Sequence, residues 1–72
     1  MKMSNIEKKI GHQLKLVRLS KGLTQEQLAE LSDLHRTYIG SVERGERNIT
    51  VKNLYKILLA MECPLGDFFR SF

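Results

Sequence analysis

Between Arg36 and Arg44 the chain places Arg36, Thr37, Gly40, Ser41 and Arg44 on one face at helical spacing, with Ile39 and Val42 turned the other way. Guanidinium forks and short hydroxyls in that arrangement suit hydrogen bonding to phosphates and base edges rather than bond-making chemistry. An arginine can donate to O6 and N7 of guanine together, and a threonine offers a hydroxyl and a methyl that suit thymine. Other constellations are weaker. Ser41, His35 and Glu43 could be assembled into a triad, but no nucleophile elbow or oxyanion-hole motif accompanies them, and 72 residues leave little room for a pocket, so no catalytic residue is expected. His12, His35 and the single Cys63 lack the number and spacing of zinc ligands, so neither a metal nor another cofactor is expected.

Positioning that face calls for helices, and the apolar periodicity supplies them. Ser4 with Glu7 forms a capping box, and Ile6, Ile10, Leu14 and Val17 predict a first helix over about 5–21, closed by Gly22. Thr24 with Gln27 repeats the box, and Leu28, Ala29 and Leu31 predict a short second helix ending near Ser32. The third helix, over 36–44, closes at Gly45. After a loop of Glu46, Arg47, Asn48 and Ile49, Thr50 caps a fourth helix with Val51, Leu54, Ile57, Leu58 and Met61 at its apolar period. Pro64 stops it, and a last helix or turn over about 65–69 docks Leu65 and Phe68, leaving Phe69 and Phe72 to be explained. No strand-like alternation appears, so the expected class is all-α, one domain over 1–72.

Helices two and three, over about 25–44, have what a helix-turn-helix needs. Ala29 is the small residue where the axes cross, Leu28, Leu34, Ile39 and Val42 are the inward set, and a polar second helix is left free for a groove. The charge supports an acidic partner: the chain is +4 overall, with six Lys or Arg against one Glu in residues 1–22, and Arg36, Arg44, Arg47 and Lys52 against Glu43 and Glu46 in 34–52. Scattered lysines on a helix also make an ordinary solvated face. One cysteine allows no internal disulfide, and no apolar run reaches the length of a membrane span or a secretory signal, so a cytoplasmic setting and no membrane partner are expected.

The run Gly22-Leu23-Thr24-Gln25-Glu26-Gln27-Leu28-Ala29, then Tyr38-Ile39, then Val42-Glu43-Arg44-Gly45-Glu46-Arg47-Asn48, resembles the Cro/CI-type (xenobiotic response element) helix-turn-helix DNA-binding family over about 10–69. His35-Arg36-Thr37-Tyr38-Ile39 and Arg47-Asn48-Ile49-Thr50 are most like the controller proteins of restriction-modification systems. The resemblance implies a compact five-helix, lambda-repressor-like domain and a sequence-specific transcriptional regulator. It implies that Gln25, first in helix two, contacts a phosphate and braces the start of the recognition helix. Arg36, Thr37 and Ser41 fall at base-facing positions, with Tyr38 added in the controller subgroup; Tyr38 fits a core-edge aromatic equally well. Asn48 and Thr50 stand where the family clamps a phosphate, Arg47 adding charge, although Thr50 is a helix cap first. Arg18 and Glu43 stand where the family pairs residues in a structural ion pair, and Cys63 at a core position.

The same resemblance implies a homodimer on a pseudo-palindromic double-stranded DNA operator, since one recognition helix makes too few base contacts to find a site alone. Leu59, Leu65, Phe69 and Phe72, within about 58–72, supply more apolar surface than a small core needs and are the expected dimer interface. RNA polymerase is a further partner that such a regulator admits. A phage-type repressor, an antitoxin or an adaptor that binds no DNA could share the scaffold; the Arg-bearing outer face of helix three argues against the adaptor. This chain departs from the family at His35, where Ser, Thr or Asp usually caps the recognition helix, and at Asp33 and Glu62, which replace frequent glycines. Strain or a shifted boundary is expected near Glu62.

Overall fold

The computed structural model describes residues 5–72, so the cap expected from Ser4 lies outside the described residues. The elements are α1 (Asn5–Ser20), α2 (Gln25–Ser32), α3 (Arg36–Glu43), α4 (Val51–Ala60) and α5 (Leu65–Phe69), with no strand among the described residues. The all-α, five-helix expectation holds. α3 packs against both α1 and α2, and α2 in turn against α4.

The first four helices end by one device. Beyond each, a residue in the left-handed region lets two amides fold back on the last turn: Leu23 N to Arg18 O at 3.1 Å, Leu34 N to Ala29 O at 3.0 Å, Glu46 N to Ser41 O at 3.0 Å and Cys63 N to Leu58 O at 2.9 Å. The left-handed residues are Gly22 and Gly45, at φ 72° and 74°, and Asp33 and Glu62, at 58° and 55°. Asp tolerates this geometry through its short polar side chain, whereas Glu62 bears the full steric penalty, which is the strain expected there. At the other ends, Thr24 and Gln27 form the complete reciprocal box, and Thr50 Oγ1 accepts from Asn53 N at 3.1 Å. His35 makes no side-chain cap to α3.

The core gathers Leu14, Leu28, Ala29, Ile39, Val42, Leu54, Ile57, Leu58, Met61 and Phe68, with Ile10, Val17, Leu23, Leu34 and Phe69 packed partly against it. Several apolar assignments are corrected by this arrangement. Leu31 and Val51 are exposed because each helix is too short to bury more than a narrow stripe; Val51, in the first turn of α4, is 83% exposed. Leu65 does not dock with Phe68 but is 53% exposed, because the one turn and a half of α5 points only Phe68 fully inward. Ile6 is also exposed.

One glycine decides how closely two helices approach. A Cβ on Gly11 would run into the backbone carbonyl oxygens of Val42 and Glu43, so α1 lies against the last turn of α3 at a distance that only glycine permits.

Candidate nucleic-acid interface

The orientation of α3 is set from below by a closed polar network. Arg18 Nε lies 2.7 Å from Glu43 Oε2, its second fork arm donates to Glu43 Oε1 at 3.0 Å, and its third nitrogen donates to Leu23 O at 2.8 Å. Gln25 Nε2 donates to the same Glu43 Oε1 at 3.0 Å. Arg18 and Glu43 are both buried, and among the described residues no buried side-chain polar atom lacks a partner. Bidentate geometry and full satisfaction are what make a buried pair tolerable. Gln25 therefore reaches the C-terminal half of α3, at Glu43 and above Gly40, rather than bracing its start. Gly40 is buried under Gln25 and the Arg44 side chain, not displayed on the outer face, because α2 crosses α3 at that point. Arg44 is the residue that caps α3, and its exposed guanidinium pairs with Glu46 at 3.1 Å.

Above this base, the side chains of the outer face differ in freedom. Arg36 and Thr37 are exposed; Arg36 pairs with Glu26 at 3.7 Å, in a contact so solvated that it contributes little and is readily exchanged for another acceptor. Ser41 is half-buried and its hydroxyl donates to Tyr38 O at 2.8 Å, which leaves its oxygen lone pairs, rather than its proton, toward any partner. Tyr38 is also half-buried: Asn53 Nδ2 donates to its hydroxyl at 3.1 Å, and the Arg47 guanidinium lies over its ring, 5.2 Å from the centroid. Asn48 and Thr50 are exposed in the turn before α4.

Two helix N-termini flank this face. The caps of Thr24 and Thr50 satisfy the third amide of α2 and α4, while the amides of the first two residues have no acceptor within their own helices. Such amides, with Gln25 beside one pair and Arg47 and Asn48 beside the other, are of the chemical type that suits an anion.

The carboxy-terminal residues have a different character. Leu59, 64% exposed, and Leu65 border a shallow apolar groove with Tyr55, Leu58, Glu62, Cys63 and Pro64. Phe69 is largely occupied within the chain: its ring meets Phe68 at 5.0 Å and Phe72 at 4.9 Å, both edge-on, and Lys9 Nζ sits 5.1 Å from the Phe72 centroid. The Cys63 thiol is held above its usual pKa by burial and, secondarily, by the charge of Asp67, against an opposing contribution from Lys21. It is a poor thiolate, suited to packing. Among the described residues no three His, Cys, Asp or Glu side chains cluster as a metal site would require, and no helix is long and apolar enough to cross a membrane.

Three positions escaped the sequence reading. Gly11 carried a signal, an isolated glycine inside an otherwise helical period. Asn53 and the burial of Gly40 carried none, since both depend on how α3 sits against α4 and α2.

Comparison with known proteins places these features in a family. The helix-turn-helix family profile matches residues 14–68. The control protein C.SmaI of Serratia marcescens is 52% identical over 78% of this chain, which spans 64% of that protein's length. The control protein C.MunI of a Mycoplasma species is 40% identical over 93% of this chain and 92% of its own. Among solved structures, the restriction-modification controller protein C.AhdI from Aeromonas hydrophila superposes with a TM-score of 0.87 at 41% identity, covering 92% of this chain and all of that one. The controller protein C.Esp1396I, solved as a tetramer in complex with its natural 35 base-pair operator, superposes with a TM-score of 0.89 at 43% identity, over 93% of this chain and 88% of that one. This chain belongs to the Cro/CI-type helix-turn-helix family, among the relatives that include the restriction-modification control proteins.

Proposed function

We propose that this chain is a sequence-specific transcriptional regulator that binds a pseudo-palindromic double-stranded DNA operator as a homodimer, in the manner of a restriction-modification controller. The observation that carries the reading is the division of α3: Ile39, Val42 and Glu43 are buried beneath it while Arg36 and Thr37 are exposed above it. In this reading Arg36 and Thr37 meet base edges in the major groove, with Tyr38 and Ser41 beside them, and Gln25, Arg47, Asn48 and Thr50 hold phosphates on either side. Arg18 and Glu43 are structural. Leu59 and Leu65, with the edges of Phe69 and Phe72, form the contact with the second protomer.

The reading is of a DNA-binding regulator acting in the cytoplasm rather than of an enzyme. RNA polymerase, touched from a promoter-bound dimer, is its further partner. The chemistry is tested by selecting bound sequences from random DNA and repeating the measurement with Arg36→Ala. A regulator loses affinity steeply as salt rises, selects symmetric half-sites about 34 Å apart or a small multiple of that, and loses about 1–3 kcal/mol of preference at one base pair of each half-site in the variant. Uniform weakening on all sequences would instead make Arg36 a phosphate contact.

A further inference from the structure

We infer that Asn53, on α4, is a positioning residue for DNA reading, which holds the Tyr38 hydroxyl so that it faces DNA as a hydrogen-bond donor. The inference rests on the functional reading above and concerns the contacts around one side chain. Tyr38 is restrained at its hydroxyl, its ring and its carbonyl. Its hydroxyl oxygen accepts from Asn53 Nδ2 at 3.1 Å, its ring lies under the Arg47 guanidinium with 5.2 Å between centroid and carbon, and its backbone carbonyl accepts from Ser41 at 2.8 Å. Asn53 is itself fixed, because its backbone amide donates to the Thr50 cap at 3.1 Å.

A phenol has one proton and two lone-pair directions. With the Asn53 amide donating into one lone pair, the proton points elsewhere, so the hydroxyl offers an incoming duplex its proton first, with one lone pair still open. The groups it can satisfy are acceptors: guanine O6 or N7, adenine N7, thymine O4 or a phosphate oxygen. A cytosine or adenine amino group would find only the one lone pair that Asn53 leaves, and would give the proton no acceptor. The same contact fixes the ring on which Arg47 rests, so the base-facing residue on α3 and the charge of the following loop are oriented together by a side chain from α4.

The test is a double-mutant cycle in the full chain with Asn53→Ala and Tyr38→Phe, read by DNA affinity and by the sequences selected from random DNA. Neither substitution removes a buried apolar contact of the core, and thermal melting checks that each variant stays folded. In the wild-type background Asn53→Ala should weaken binding to the preferred sequence about five-fold, the size of one net hydrogen bond, and relax the choice at one base pair per half-site. In the Tyr38→Phe background it should change neither. Equal effects in both backgrounds, or no effect in either while wild-type protein still binds selectively, would overturn the assignment and leave the regulator reading intact. Wild-type protein that selects no sequence would overturn both.

Discussion

At the junction of α1 and α3, Arg18, Glu43 and Gln25 pair with one another within the fold, whereas on α4 and at the start of α5 Tyr55, Leu59 and Leu65 each remain more than half exposed. Under the proposed function, the contrast separates two tasks that a chain of 72 residues must share. A readout helix needs a base that does not move, so the buried charges there are paired within the fold. A surface that joins other surfaces needs apolar area left uncovered, which costs solubility unless something covers it. Each substitution below perturbs one side of this contrast.

The largest effect should come from Glu43→Ala. It strands the Arg18 guanidinium in a site where the side chain is 8% exposed and also removes the acceptor of Gln25, at a cost of about 3–5 kcal/mol. Domains of this length have a stability of about 4–11 kcal/mol, so the variant should be largely unfolded at moderate urea. Pairing it with Arg18→Met should recover much of the loss. A cycle showing no coupling between the two sites would mean that the ion pair does not tie α1 to α3. The apolar face offers no comparable single point of failure.

Gly11→Ala tests the same junction through shape alone. The obstructing atoms are backbone carbonyls of Val42 and Glu43, which cannot rotate aside, so α1 must shift at a cost of about 1–3 kcal/mol. Gly66→Ala, on α5, is the internal control, since a methyl there meets nothing within 4 Å and helix propensity favours it. Chemical denaturation of the two variants should move in opposite directions; similar shifts would show that α1 is not seated tightly on α3.

On the apolar side, Leu59→Glu should leave the melting of the isolated protomer almost unchanged, because the side chain is mostly exposed already. Dimerisation should weaken at least ten-fold, since burying a leucine contributes about 1.5–3 kcal/mol. Sedimentation over a range of concentrations reads this directly. Wild-type protein that stays monomeric with and without DNA would remove the face's assigned partner.

How much of this was legible in the sequence follows the same division. The helix borders were written in local code: Thr24 with Gln27, Thr50, Pro64, Gly22 and Gly45 all act within a turn of where they stand. The inward stripe was legible wherever a helix is long enough for its period to show, as at Leu14, Leu28, Ile39 and Leu54. It failed at Leu31, Val51 and Leu65, where an apolar residue near the end of a short element is free to face outward. The outer face of α3 could be listed from spacing, but not the different freedoms of Arg36, Ser41 and Tyr38. That of Tyr38 depends on Arg47 and Asn53, which come from 9 and 15 residues away and announce nothing on their own. Gly40 shows the same limit: its place under Gln25 is a property of the crossing of two helices, not of either one.

The smallest effect concerns the point where the apolar groove begins. Glu62 borders that groove and holds φ at 55°, where its Cβ crowds the following carbonyl. Glu62→Gly removes a penalty of about 1–2 kcal/mol but loosens the unfolded chain by about 0.5–1 kcal/mol, so the net gain should be about 1 kcal/mol or less. The bonds that close α4, Glu62 N to Leu59 O at 3.1 Å and Cys63 N to Leu58 O, use backbone groups only and survive the change. Thermal melting should rise by a few degrees while the association constant stays near that of the wild type. A fall in association with no change in melting would instead show that the Glu62 side chain belongs to the contact between protomers, and that the uncovered face is larger and more polar at its edge than its leucines suggest.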